Sequence, residues 1–360
     1  MLKTVSPINH HTKDLSFGEF VALIALMMAL TALSVDIMLP ALSQMEEALG
    51  LAAANDRQLI ITFYLFGFAA GQPFFGPLSD RFGRKPPLYA GLIIFAAASV
   101  MAANATSAEM MFVSRALQGF GAAAPRVIAI AIVRDRFSGR SMARVMSFVM
   151  MIFIAVPIVA PALGQGVIQV APWRWIFLAL LIASAITLLW AWLRLPETHP
   201  IDRRLPLSAE RLTGAARTIV TTKQTVGYAI GFGFFYGVLM SYIGSAEQIF
   251  VDVYQLGAAF PLVFGAIASF MILASLTNAR LVESIGMRRV SHVALLAFLG
   301  SCGLMAIAGY PEQPPLLLFC LFIVAVFFCF GLIGPNFNAM AMEKVGHIAG
   351  TASSFIGFYT

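Results

Sequence analysis

Apolar residues in this chain run in blocks of about 20, too long and too uniform for the one-sided stripe of a helix resting on a soluble core. A bilayer's hydrocarbon is about 30 Å thick and takes about 20 helical residues to cross, so each block predicts a membrane span. Ten complete spans are predicted, at 18–42, 57–78, 87–105, 107–133, 143–169, 173–195, 224–248, 257–280, 289–310 and 315–340. An eleventh begins near Gly346 and the chain stops inside it at Thr360, which predicts truncation within the eleventh helix; a re-entrant segment or a natural ten-span protein is the alternative. The one long polar interruption carries Pro-Glu-Thr-His-Pro, several arginines and little apolar periodicity. The chain therefore divides into an N-terminal six-helix half (1–195), a central linker (196–223) and a C-terminal half with helices seven to ten and the start of eleven (224–360).

Composition agrees: 60% hydrophobic and 11% charged residues cannot clothe a water-soluble surface. The fold class expected is an all-α polytopic membrane protein. Lys and Arg gather in the turns on the N-terminal side, while only Arg57 and Arg174 fall opposite, which places the N-terminus in the cytoplasm. The net charge of +6 is then a topology signal and a contact with anionic membrane lipids, with no nucleic-acid partner needed. Cys302, Cys320 and Cys329 lie inside apolar spans without metal-ligand spacing, and read as packing. No metal or cofactor is expected. The sequence shows no phosphate-binding glycine loop or catalytic triad, which argues against an enzyme and against ATP as an energy source.

The turn after the second span reads Gly76-Pro-Leu-Ser-Asp80-Arg81-Phe-Gly83-Arg84-Lys85. It resembles the G-x-L-x-D-R-x-G-R-K loop of major facilitator transporters. That resemblance implies two six-helix halves and a loop that latches one conformational state. Asp80 would face the start of helix eleven, near Gly350 and Thr351, and basic residues such as Arg134, while Arg81, Arg84 and Lys85 would sit at the headgroups. Sliding the sequence by 203 residues lays Asp80, Gly83 and Lys85 over Glu283, Gly286 and Arg288, a degraded copy of the loop in the second half.

Four further segments resemble the twelve-helix drug/proton antiporters, and among them the Bcr/CflA-like multidrug efflux branch. Arg115-Ala-Leu-Gln118-Gly119-Phe-Gly121 resembles the fourth-helix motif whose arginine is associated with proton transfer. The segment from Pro157 through Pro161 and Gly164 resembles the antiporter motif of helix five, with Gln165 in place of its last glycine. Asp36 with Pro40 matches the first-helix pattern, and Gly334-Pro335-Asn336-Phe-Asn338 resembles that branch in helix ten. The resemblance implies residence as a monomer in the bacterial inner membrane and proton-driven antiport of amphipathic drugs or antibiotics. A transporter of an endogenous metabolite and an inactive remnant remain as alternatives.

Charged residues within spans are costly and normally face a bundle interior or a water-filled cavity. Asp36, Arg115 and Arg126 are the candidates for proton coupling. Asp36 and Arg115 lie at matching depths, roughly 9 and 12 Å from the outer ends of their helices at 1.5 Å per residue. They are expected to pair across the cavity, burial and guanidinium pulling the acid's protonation in opposite directions. Arg126 either serves the same purpose or snorkels to the inner surface. Substrate candidates are Tyr64, Gln118, Phe235, Tyr236, Tyr242, Asn336 and Asn338, residue types that more often pack between helices than touch a ligand. Leu26 to Leu30 carry no second carboxylate, so one proton per cycle is the simpler expectation.

Overall fold

The computed structural model describes residues 15–51, 53, 55–137, 139–204, 209–307 and 314–359. Their regular elements are helical throughout: α1 (Phe17–Asp36), α2 (Leu42–Leu49), α3 (Leu59–Phe82), α4 (Lys85–Ala103), α5 (Ala108–Arg136), α6 (Gly139–Val170), α7 (Arg174–Arg194), α8 (Ala209–Thr221), α9 (Lys223–Glu247), α10 (Phe260–Ile285), α11 (Met287–Ile307), α12 (Leu316–Met342) and α13 (Ala349–Tyr359). Ten helices or joined helices among the described residues are long and apolar enough to cross a membrane, beginning with Phe17–Leu49 and ending with Leu316–Val345. The ten expected spans are therefore present. Helices are what the bilayer requires, because only they satisfy their own backbone polar groups within one segment.

Residues that start and stop helices lie where local chemistry puts them. Ser16 and Ser107 cap α1 and α5 by accepting from the backbone N–H groups of Glu19 and Met110. Gly83 and Gly286 end α3 and α10 with φ/ψ of 91°/169° and 82°/152°, a region nearly closed to other residues. The degraded loop copy is thus a repeat in backbone geometry as well as in sequence.

Large side chains such as Phe66, Leu304 and Leu317 are more than 70% exposed, as a lipid-facing surface requires. Inside, α5 packs against α3 and α4, α4 also against α7, and α1 against α6. Small residues permit these contacts: a Cβ on Gly119 would lie 1.9 Å from the Tyr64 carbonyl oxygen on α3. A second group, α9 to α12, is built around α12. It meets the first group where α10 crosses α6, and α13 lies along α3.

The segment predicted as a linker with little apolar periodicity contains α8, whose buried Ile219 packs against Val345. So few apolar residues were enough because they fall on one face of a short helix.

Candidate functional site

The basic end of the bundle carries the 76–85 loop. Arg84, expected at the headgroups, is 2% exposed and sits at the centre of a polar cluster. Its Nε and Nη2 donate to Asp135 at 2.7 and 3.0 Å, and its Nη1 donates to Asp80 at 2.6 Å and Ser79 at 2.9 Å. Burial works against charge on Arg84, but the bonds to Asp135 and Asp80 more than offset it and hold its pKa above the ordinary arginine value. Glu197 accepts from the backbone N–H groups of Arg84 and Lys85, and Thr198 donates to Asp135. A Cβ on Gly83 would meet both Glu197 and Arg204 at 2.7 Å.

The loop is thus bound to the start of the segment predicted as linker, a partner that the sequence did not suggest because the two are over 100 residues apart. Arg81 is exposed as expected. Asp80 pairs with Arg84, and its expected partner Arg134 is exposed, sharing a cavity wall with it. The side chains of Gly350 and Thr351 lie outside the described residues. α13 nevertheless meets α3 here: a Cβ on Gly76 would be 2.5 Å from Ser354 Oγ, and Gln72 donates to the Gly357 carbonyl at 2.6 Å.

At the far end, the two helix groups are joined by ions. Arg57, 3% exposed, lies 3.3 Å from Glu46 and 3.2 Å from Glu247, and pairs with Asp252. Gln58 donates to Gln248 at 3.0 Å across the same seam. Glu247, on the second group, is 1% exposed and both its partners, Ser43 and Arg57, come from the first, so this end is closed.

The pair expected between Asp36 and Arg115 is not formed. Arg115 is fully buried and its Nε and Nη2 donate to the carbonyls of Ile60 and Ser34, each at 3.1 Å. Its Nη1 donates to Gln118, and its guanidinium stacks 4.3 Å over the Tyr64 ring. Gln118 in turn donates to Ser99 at 2.7 Å. The side chain of Arg115 instead turns between α1 and α3 to reach the backbone oxygens of Ser34 and Ile60. Arg115 and Gln118 are therefore a fixed clasp among helices, and Gln118 is not on the cavity wall.

Asp36 instead borders a cavity of about 430 Å³ between the two helix groups. The carboxyl is 2% exposed and has no ion-pair partner among the described residues. Gly164 holds α6 close beside it: a Cβ there would sit 1.9 Å from the carbonyl oxygen of Ile37. Of the expected residues, Tyr64, Arg126, Pro157 and Tyr236 share this cavity. Tyr236 is near enough to both Asp36 and Arg126 to feel the charge of each. Arg126 does not snorkel; its guanidinium lies 4.8 Å over the Phe153 ring, and its Nη1 is buried without a hydrogen-bond partner.

Other candidates are elsewhere. Phe235 packs on Phe298 and Phe330, and it borders, with Tyr242, a separate apolar cleft. Asn336 donates to Asn278 at 2.8 Å, tying α12 to α10. Asn338 lines a smaller cavity of about 190 Å³ at the basic end, which shares Gln72, Arg126, Phe232 and Gly357 with the central one. Helix periodicity could have separated these. Successive residues are about 100° apart, so on α9 the cavity stripe is Phe232, Tyr236 and Met240, and Phe235 points away. The same i, i+4 step on α3 would have added Phe68 and Gln72 to Tyr64. Thr31, whose buried hydroxyl oxygen is unpartnered on the cavity wall, was missed as an ordinary small polar residue.

Comparison with known proteins agrees with this architecture. Residues 24–360 match the family described as Major Facilitator Superfamily. The chain is 30% identical over 339 residues to the MFS-type transporter YdgK of Bacillus subtilis, covering 93% of this chain and 84% of the relative. It is 29% identical over 343 residues to the bicyclomycin resistance protein homolog of Haemophilus influenzae, covering 94% and 85%. To a chloramphenicol resistance protein of Pseudomonas aeruginosa it is 32% identical over 333 residues, covering 90% and 77%. Among solved structures, a D-xylose-proton symporter matches with a TM-score of 0.73 at 13% identity, covering 95% of this chain and 89% of that one. The human organic anion transporter MFSD10 matches with a TM-score of 0.68 at 18% identity, covering 96% and 91%. At these identities the two structures speak for the fold alone.

Proposed function

Because the chain belongs to the Major Facilitator Superfamily, and is thus a multi-pass membrane transporter of small molecules, we propose that it exports amphipathic drugs or antibiotics across the bacterial inner membrane in exchange for protons. The basic end faces the cytoplasm under the excess of Lys and Arg there. The protein works as a monomer, its halves (1–195 and 224–360) moving about the segment 196–223.

The observation that carries the reading is the central cavity. It has an amphipathic wall, lies between the helix groups, and contains one carboxyl, Asp36, that no cation engages among the described residues. A carboxyl in such a position can gain a proton from one side and lose it to the other, provided the cavity changes its opening. The far end is closed by Arg57, Glu247 and Asp252, while the smaller cavity continues from Arg126 toward Asp80 and Arg134. These features support a site that communicates with the cytoplasm through the basic end. Arg115 takes a positioning role: its bond to the Ser34 carbonyl and its stacking on the Tyr64 ring hold the backbone two residues before Asp36 and one wall of the cavity.

The relatives named for bicyclomycin and chloramphenicol resistance direct the choice of substrates. Everted vesicles bearing the chain, with a preformed pH gradient, should lose that gradient when a transported antibiotic is added, and Asp36→Asn vesicles should not. A gradient unmoved by every antibiotic and metabolite tried, in well-inserted protein, would overturn proton antiport.

A further inference from the structure

Arg126 is the unexplained group of the cavity. It stands where the central and smaller cavities join, on the wall of both. Phe153 covers one face of its guanidinium, and Nη1 is buried with no acceptor. A structural arginine inside a membrane normally spends its donors on carbonyls or carboxylates, as Arg115 does on Ile60 and Ser34. Arg126 keeps a donor in reserve.

The charge balance is one-sided. Among the described residues lining the central cavity, Asp36 and Arg126 are the charged side chains. A proton can neutralise the carboxyl, whereas the guanidinium stays charged under ordinary conditions. The cavity's formal charge is therefore zero with Asp36 ionised and positive with Asp36 protonated, and it never becomes negative. A lone cationic drug would meet at best a balanced cavity. A ligand oxygen carrying negative charge, full or partial, would satisfy Arg126 through a charge-assisted hydrogen bond. Its apolar body would have Phe153, Tyr236, Met240, Phe264 and Phe327 around it, and the unpartnered Thr31 hydroxyl could serve a second polar group.

We infer that Arg126 is a substrate-binding residue, and that the cavity selects amphipathic anions such as carboxylates, or neutral compounds with a strongly polarised oxygen such as a nitro or carbonyl group, over cations. The inference rests on the transport reading for its biological meaning, but not on proton coupling. It also separates the roles of two residues that the sequence grouped together: Asp36 exchanges the proton and Arg126 holds the ligand.

The test is equilibrium dialysis on the full chain in phosphatidylcholine nanodiscs, with empty discs subtracted. Three probes share one apolar body and differ in the headgroup: 4-(1-naphthyl)butanoate, 4-(1-naphthyl)butanol and 4-(1-naphthyl)butylammonium. The wild-type protein should hold the carboxylate about tenfold more tightly than the ammonium. Arg126→Gln should lose that preference, and Arg126→Lys, which keeps the charge without the forked geometry, should retain part of it. Circular dichroism and gel filtration on each variant establish that it is folded. A wild-type preference for the ammonium, a preference that survives in Arg126→Gln, or failure to bind any of the three probes would overturn the inference. Headgroup selection that passes this test while vesicles show no proton movement would sink antiport and leave Arg126 in place.

Discussion

At the scale of single residues, two arginines of one helix, Arg115 and Arg126, have opposite employment. Arg115 donates to two backbone carbonyls and to Gln118, so truncating it removes three bonds at once and leaves the buried Gln118 side-chain oxygen without its donor. Bonds to a charged group contribute on the order of 1.5–3 kcal/mol each, and Arg115→Ala is expected to destabilise the protein by about 3 kcal/mol or more. Asp36→Asn breaks no described contact and should leave the melting temperature unchanged. Differential scanning fluorimetry on the two purified variants checks this contrast; equal melting temperatures would remove the positioning role assigned to Arg115. Burial and an apolar neighbourhood, readable for both arginines in the sequence, did not distinguish them. Side-chain direction did, and that depends on which carbonyls the neighbouring helices present.

Elements meet in this protein where a missing side chain allows it. Gly164 puts α6 against the backbone carbonyl of Ile37, immediately after Asp36. Gly164→Val would force α1 and α6 apart, at a cost of about 1–3 kcal/mol for overpacking, and should impair transport more than its effect on folding would suggest because the displaced backbone carries Asp36. Transport normalised to the amount of folded protein reads this directly. The paired turns offer a cleaner comparison. Gly83 and Gly286 share one backbone conformation, yet a Cβ on Gly286 meets no atom within 4 Å while one on Gly83 strikes Glu197 and Arg204. Alanine at either position should cost on the order of 1–3 kcal/mol in backbone strain, with the larger loss at Gly83. Melting temperatures of the two variants decide it.

Over the whole molecule, the closed far end defines the conformational state. Arg57 is shared by Glu46 of its own helix group and by Glu247 and Asp252 of the other. Gln58 and Gln248 touch across the same seam at 3.0 Å. Cysteines at both positions should therefore be joined by a short bis-methanethiosulfonate cross-linker that replaces the reach of the two glutamine side chains, locking this end, stopping transport, and releasing it on reduction. Transport that continues in fully cross-linked protein would mean that the far end need not open. Arg57→Ala should act in the other direction, and spin labels placed at Gln58 and Gln248 in that background should show a longer distance than in otherwise unaltered protein.

Much of this architecture was written in local order. Runs of about 20 apolar residues specify helices because hydrocarbon leaves a backbone no other way to satisfy itself, and the ten expected spans are the ten found. The 76–85 turn and its copy after α10 were legible because positive φ demands glycine whatever lies nearby. The buried charges were also legible, since any ionisable residue in such runs is conspicuous. Pairing was not. Arg84 is buried rather than at the surface because Asp135 and the Glu197 segment come to it from elsewhere in the chain. Asp36 and Arg115 were expected at one depth, yet Arg115 turns to the carbonyls of Ile60 and Ser34, and Phe235 and Tyr236 differ by one residue and lie on different walls. A sequence specifies how far along the membrane normal a side chain sits; rotation about each helix axis, and hence what a side chain meets, is set by how the helices pack against one another.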